Sequence, residues 1–363
     1  MRAIWMLMLV AACGGSGSDP AERTTDTGSS DPTGTTDPTS TGTTTDSTPP
    51  TDPEPPPYDV WGDYAVGTFD ADIAGPDALT LTAQVWYPSS EAQGDTVNYG
   101  LLEGEATEDL PADCSTVRPV LVFSHGNGGL RYQSPFFTEH LASHGYVVIS
   151  VDHKFNTFLD LDYSLLDELA LRRPLDVAAA FDALPGMSQV ADCVDPAAGY
   201  AVAGHSFGGF TALAVAGAEL NDPVNGGQVF VDDARVWASV GLAPWDGFGV
   251  ITDGAQYVDV PTLILTGRRD QITPILQVRS IWAPLSVTPR RLGIFERGGH
   301  YSFSPIACLL ETDDGCAPDD IAEDDFVPLV MQSTLAFLES VRVDPALLDR
   351  LPPESDELTW DDD

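Results

Sequence analysis

The feature that most limits what this chain can become is the run Gly204-His205-Ser206-Phe207-Gly208-Gly209. It follows Tyr200-Ala201-Val202-Ala203, which reads as a short buried strand, and leads into residues 208–218, a small apolar stretch suited to a helix packed on a sheet. In a strand, Gly-x-Ser-x-Gly, helix succession the turn is so sharp that the positions two before and two after the serine have room for main chain only. The serine hydroxyl then stands at the end of the sheet, and the helix N-terminus points at it, which favours negative charge there. The five-residue pattern also arises by chance in glycine-rich loops. The strand before it and the small-residue helix after it are what give it weight.

Around this turn the chain alternates strands and helices. Residues 120–123, 146–151, 237–242 and 262–265 are short apolar runs, the pattern of strands covered on both faces. Residues 135–143 before Gly145, and 174–184 with Val177, Phe181 and Leu184 at helical spacing before Pro185-Gly186, read as helices. Residues 79–86 alternate instead, with Leu79, Leu81, Ala83 and Val85 on one side, as in a half-buried antiparallel strand near a sheet edge. Residues 291–295 read as the last strand. The expected fold is α/β: a mostly parallel central sheet flanked by helices on both faces, with antiparallel strands at its N-terminal edge.

A serine hydroxyl is a weak nucleophile until a base takes its proton. With this kind of turn the chain order is serine, acid, histidine, and His300 is the only histidine beyond Ser206. The orienting acid is expected at Asp270, on the loop after strand 262–265. Asp246, one strand earlier, is the alternative. Two main-chain N–H groups must face a developing oxyanion. Phe207 supplies one by position, and Asn127, in the glycine-rich turn Ser124-His125-Gly126-Asn127-Gly128-Gly129, is assigned as the other. No Lys follows that turn, so it does not match a phosphate loop. This chemistry requires no metal or cofactor.

The chain carries 56 acidic against 16 basic residues, a balance that repels phosphate backbones and argues against nucleic acid as a partner. Arg2, the apolar run 4–10 and Val10-Ala11-Ala12-Cys13 resemble a bacterial lipoprotein signal ending at a lipidated Cys13, although the run is short for an export signal. Residues 14–57, built from Thr, Ser, Gly, Asp and Pro, cannot form a core and read as a disordered tether. The organisation expected is a signal at 1–13, a linker at 14–57, a folded domain at 58–350 and an acidic tail at 351–363. The location expected is the cell envelope, lipid-anchored, or the exterior. Four cysteines remain beyond Cys13, as suits disulfides in an exported chain. Cys308 and Cys316 are near enough in sequence to close one loop. Cys114 and Cys193 each precede a parallel strand.

Taken together, the segment 120–129, Leu141-Ala142-Ser143-His144-Gly145-Tyr146-Val147-Val148, Asp152-His153 and the Gly-His-Ser-Phe-Gly-Gly turn resemble the dienelactone-hydrolase-like branch of the α/β-hydrolases. Within it, platelet-activating-factor acetylhydrolases and cutinase-like polyester hydrolases are most similar, over residues 58–341. The resemblance implies an α/β-hydrolase fold and an exported serine esterase that acts on short- to medium-chain esters through an acyl-enzyme. A polyester hydrolase or lipase is the alternative, and a non-catalytic surface module of the same fold is the alternative of another class. An acyltransferase would use the same residues. The acetylhydrolase type places its acid where Ala243 stands here, whereas the cutinase-like position matches Asp270. Ala243-Pro244-Trp245-Asp246 makes Trp245 a candidate substrate contact, and His205 follows the acetylhydrolase pattern. The family's sheet order implies a Cys114–Cys193 bridge at the end of the sheet away from the site. The partners implied are a small ester or lipid, and a membrane only through the anchor, with the protein a monomer. His153 and the Asp160, Asp162 and Asp167 cluster have no assigned role.

Overall fold

The computed structural model describes residues 57–361, apart from Leu101, Phe248, Leu310 and Glu311. The expected signal, the lipidated Cys13 and all but the last residue of the linker lie outside the described residues.

Six parallel strands carry the fold. They are β3 (Val120–Ser124), β4 (Val147–Val151), β5 (Tyr200–His205), β6 (Val236–Leu242), β7 (Thr262–Gly267) and β8 (Arg290–Phe295). The antiparallel strands β1 (Ala65–Ala74) and β2 (Thr80–Ser89) extend the sheet beyond β4, and β9 (Leu358–Asp361) extends it beyond β8. The order across the sheet is β9-β8-β7-β6-β5-β3-β4-β2-β1, with the two residues Thr107–Glu108 on the outer edge of β1.

Every residue of β3, β4, β5 and β7 is buried, because alternate side chains feed two separate cores. Val120, Val122, Val147 and Ile149 face one core with helices α2 (Leu166–Ala183), α3 (Phe207–Val215) and α4 (Ile275–Trp282). Leu121, Phe123 and Val148 face the other with α1 (Pro135–Ser143) and α5 (Glu323–Arg342). A sheet covered on both faces exposes its strand ends as places for loops that do chemistry.

Three expectations are corrected. Helix α2 begins at Leu166, two turns before Pro174. Proline removes one helical hydrogen bond, but Leu169, Ala170 and Arg173 are buried ahead of it and hold the first turns in place. Strand β2 is buried on both faces from Ala83 onward, not half-buried, because it is the second full strand from the edge, covered on its outer side by β1, and α1 packs against it. The acidic tail is partly sheet: β9 pairs antiparallel with β8 over Leu358–Asp361, and Arg297 binds Glu357 beside it, so the domain runs to the end of the described chain.

Both expected disulfides are present. Cys114–Cys193 (Cα–Cα 4.4 Å) joins the approaches to β3 and β5, where the Arg118 N–H donates to the Cys193 carbonyl at 2.7 Å. Cys308–Cys316 (Cα–Cα 5.4 Å) closes the loop that follows His300. Among the described residues, no helix is long and apolar enough to cross a membrane, and no group of three His, Cys, Asp or Glu is placed to hold a metal ion.

Candidate active site

Ser206 sits between β5 and α3 with φ 57° and ψ −114°, a conformation that non-glycine residues adopt only when the surroundings impose it. The surroundings are tight. A Cβ on Gly204 would fall on the Gly208 carbonyl, and one on Gly208 would fall on the Ser124 carbonyl of β3. The Ser206 main chain is fixed on both sides: its N–H donates to the Leu242 carbonyl (2.9 Å), and its carbonyl accepts from the Trp245 N–H (3.0 Å). The residue is largely buried, with 8 % of its surface exposed.

His300 stands beside this turn. The His205 Nε2–H donates to the His300 carbonyl at 3.0 Å, and the two rings lie 4.7 Å apart. On the far side, His300 Nδ1 is 2.8 Å from Asp270 Oδ2. That carboxylate also accepts from the N–H groups of Ile272 (2.8 Å) and Thr273 (2.6 Å) and from the Thr273 hydroxyl (2.7 Å). Burial raises its pKa, but the bonds from His300 and Thr273 outweigh burial and hold Asp270 below the usual carboxylate range. An ionised Asp270 fixes the proton on His300 Nδ1 and leaves Nε2 as the basic nitrogen. Asp246, the alternative acid, lies on the loop after β6, where its carbonyl accepts from the Ile251 N–H; the carboxylate on His300 Nδ1 is that of Asp270. Ala243, where the acetylhydrolase type has its acid, has only a methyl side chain, and its carbonyl oxygen lies 3.2 Å from the Thr273 hydroxyl, whose proton goes to Asp270.

The loop that carries His300 is tied down separately. Asp314 accepts from the His300 N–H through Oδ1 (2.9 Å) and from the Tyr301 N–H through its main-chain carbonyl (2.9 Å), within the loop closed by Cys308–Cys316.

Phe207 is the first residue of α3, where helical N–H groups lack partners within the helix. Asn127 is exposed on the turn after β3, with its side-chain oxygen accepting from Asn156 Nδ2 at 2.8 Å. The Gly126 N–H in the same turn donates to Gln133 Oε1 (2.9 Å), and Gln133 Nε2 donates to His205 Nδ1 (3.0 Å). A continuous chain of hydrogen bonds therefore runs from the Gly126 turn through Gln133 and His205 to the His300 carbonyl. His205 is buried, not cleft-facing, and burial with a smaller push from His300 holds its pKa down to about 3, so it is neutral.

Trp245 is half-buried. It meets Phe207 edge-on at 5.1 Å and packs on Phe210 at 6.0 Å. It is thus core on one side and open on the other. His153 is fully buried and bonded to Asp176, while Asp160 and Asp162 accept main-chain N–H groups of their own loop. Sequence reasoning missed Thr273, Gln133 and Asp314. Asp270-x-x-Thr273 is a local turn in which the acid accepts from the N–H groups ahead of it, a pattern the sequence does contain.

A family model described as PETase, PET hydrolase-like, matches residues 103–304, more than half of the chain and nearly all of the site described above. No curated protein matches the sequence. Among solved structures, a ferulic acid esterase from Streptomyces cinnamoneus shares the fold, with a TM-score of 0.63 and 21 % identity over 82 % of this chain and 95 % of that one. The chain belongs to the PET hydrolase-like family of α/β-hydrolases and is a carboxylic-ester hydrolase.

Proposed function

We propose that Ser206, His300 and Asp270 form the catalytic triad of an exported serine esterase that acts on short- to medium-chain esters. The observation that carries this reading is the chain Asp270–His300 set beside the strained Ser206 turn. His300 Nε2 takes the Ser206 proton as Oγ attacks the ester carbonyl. The N–H groups of Phe207 and Asn127 receive the oxyanion. His300 then protonates the leaving alcohol, and a water activated by His300 releases the acid from Ser206. An acetylhydrolase-like preference for short acyl groups fits the brevity of 156–171, the segment near the cleft. The test is a panel of p-nitrophenyl esters of rising chain length beside an acetylated phospholipid. Highest kcat/KM at two to six carbons supports the reading, and a steady rise to long chains opposes it.

A second reading, hydrolysis of a polyester, has its own support. Phe158 and Leu159, 55 % and 83 % exposed, stand beside the Gly126–Gly129 turn, where the Phe158 N–H donates to the Gly129 carbonyl (3.3 Å). Exposed apolar side chains at a reactive serine suit contact with an apolar solid. Release of soluble monomers from an aromatic polyester film, lost in Ser206→Ala, is the result expected. We also propose attachment to the cell envelope through Cys13. Radiolabelled palmitate should enter the wild-type chain and not Cys13→Ser.

A further inference from the structure

A second Ser–His–Asp constellation lies behind the first. Ser124 Oγ is 2.9 Å from His153 Nε2, and His153 Nδ1 is 2.8 Å from Asp176 Oδ2. It is not a second nucleophile. Ser124, His153 and Asp176 are fully buried, and Ser124 Oγ already accepts from Arg173 Nη2 at 3.0 Å. A guanidinium only donates. The Ser124 proton therefore points to His153 Nε2, His153 carries its own proton on Nδ1, and Asp176 accepts it. Burial holds the His153 imidazole neutral, its pKa well below the ordinary value. The result is a chain with a cation at one end and, at the other, an acid whose pKa burial pushes up to about 7.

The cation end reaches the site. Arg173 is fully buried; burial lowers its pKa to about 9, which leaves it charged at neutral pH. Its Nη2 also donates to the His125 carbonyl, and its Nη1 donates to Asn156 Oδ1 at 2.6 Å. Asn156 then donates from Nδ2 to Asn127 Oδ1 (2.8 Å) and accepts the Gly128 N–H on its carbonyl (3.1 Å). His153 adds a tie of its own, its N–H donating to His125 Nε2 at 3.1 Å. The guanidinium carbon lies 4.4 Å from the centre of the Phe207 ring. One buried cation thus touches both halves of the oxyanion pocket, the turn that bears Asn127 and the side chain of Phe207. Stability alone does not account for it: Arg173 Nε and Asp176 Oδ1 are buried with no hydrogen-bond partner among the described residues, which is costly.

We propose that Arg173, held by Ser124–His153–Asp176 and acting through Asn156, is a positioning residue that fixes the Asn127 N–H where the oxyanion forms. The inference rests on the proposed roles of Asn127 and Phe207.

The test compares a p-nitrophenyl ester with its thiono (C=S) analogue, with active enzyme counted by phosphonate titration. Preformed N–H donors favour a developing oxygen anion over the larger, weaker-accepting sulfur. Asn156→Ala should lower kcat for the oxo ester about tenfold, leave KM within twofold and reduce the oxo-to-thiono rate ratio by the same factor. Arg173→Met/Asp176→Asn, which removes the cation and the acid together, should lower the ratio further. Loss of packing alone would lower both rates together and leave the ratio at its wild-type value, and that result in Asn156→Ala overturns the proposal. If the double variant does not fold, Asn156→Ala decides. A wild-type enzyme with no oxo preference, or a Ser206→Ala variant as active as wild type, would overturn the underlying site assignment and this inference with it. A wild-type preference that survives in Asn156→Ala overturns this inference only.

Discussion

Replacing His205 by glutamine isolates a cost that the fold imposes on itself when the pH drops. His205 is buried between Gln133, which donates to its Nδ1, and the His300 carbonyl, which accepts from its Nε2. Both ring nitrogens are committed, and a second ring proton would point at a donor. Burial, with a smaller contribution from His300, lowers its pKa to about 3, against about 6.5 in an unfolded chain. The sign follows. Below about pH 6.5 the unfolded chain takes a proton that the native one refuses, so stability falls as the pH falls. Each pKa unit corresponds to about 1.4 kcal/mol, so between pH 7.5 and pH 5.0 this residue removes ~2 kcal/mol of stability. In His205→Gln the new side-chain amide can still donate to the His300 carbonyl but cannot be protonated. The variant loses some packing at every pH and escapes the acid penalty. The assay is urea unfolding of both proteins, followed by tryptophan fluorescence with disulfides intact, at the two pH values. The wild-type advantage should shrink by ~2 kcal/mol, or reverse, on going to pH 5.0. An advantage constant to within about 0.5 kcal/mol would mean that His205 is protonated inside the fold, contrary to the relay described here.

Asp270→Asn should lower kcat by about 10³–10⁴-fold with little change in KM, because His300 would lose the carboxylate that sets its tautomer, whereas Asp246→Asn should cost less than threefold; stopped-flow hydrolysis of p-nitrophenyl acetate reads both. Trp245→Ala should lower kcat/KM about tenfold for bulky aromatic esters and less than twofold for an acetate, since its inner side supports Phe207 and its outer side is open; equal losses would make Trp245 a packing residue only. Loss of Cys114–Cys193, which spans 79 residues, should destabilise the fold by about 4.5 kcal/mol, and loss of Cys308–Cys316, which spans 8, by about 2.5 kcal/mol. Only the second should lower the kcat of the folded enzyme, because its loop holds the His300 N–H through Asp314.

The turn around Ser206 was legible in the sequence because main chain crowds it: with carbonyls where Gly204 and Gly208 would carry a Cβ, only glycine fits there. Asp270 was legible because its place at the end of β7 limits which acids can meet a histidine after β8. Gln133, Asn156 and Arg173 were not. They are ordinary polar residues in loops and helices, and what makes them part of the site is pairing across long sequence distances, such as Arg173 with Ser124 and Gln133 with His205. The start of α2 was hidden for a related reason. Pro174 is a stop or start signal locally, and only the burial of Leu169 and Ala170 overrides it. Strand β9 was masked by its acidic neighbours, since four residues are too few to show a period.

The central claim is that one hydroxyl, that of Ser206, is activated by His300 and attacks the ester. A fluorophosphonate that modifies serine, followed by peptide mass mapping of the wild type, Ser206→Ala and His300→Ala, tests it directly. Stoichiometric adduct is expected on the peptide containing Ser206, with none in Ser206→Ala and labelling slowed at least a thousandfold in His300→Ala. Adduct on another serine, or undiminished labelling without His300, would contradict it.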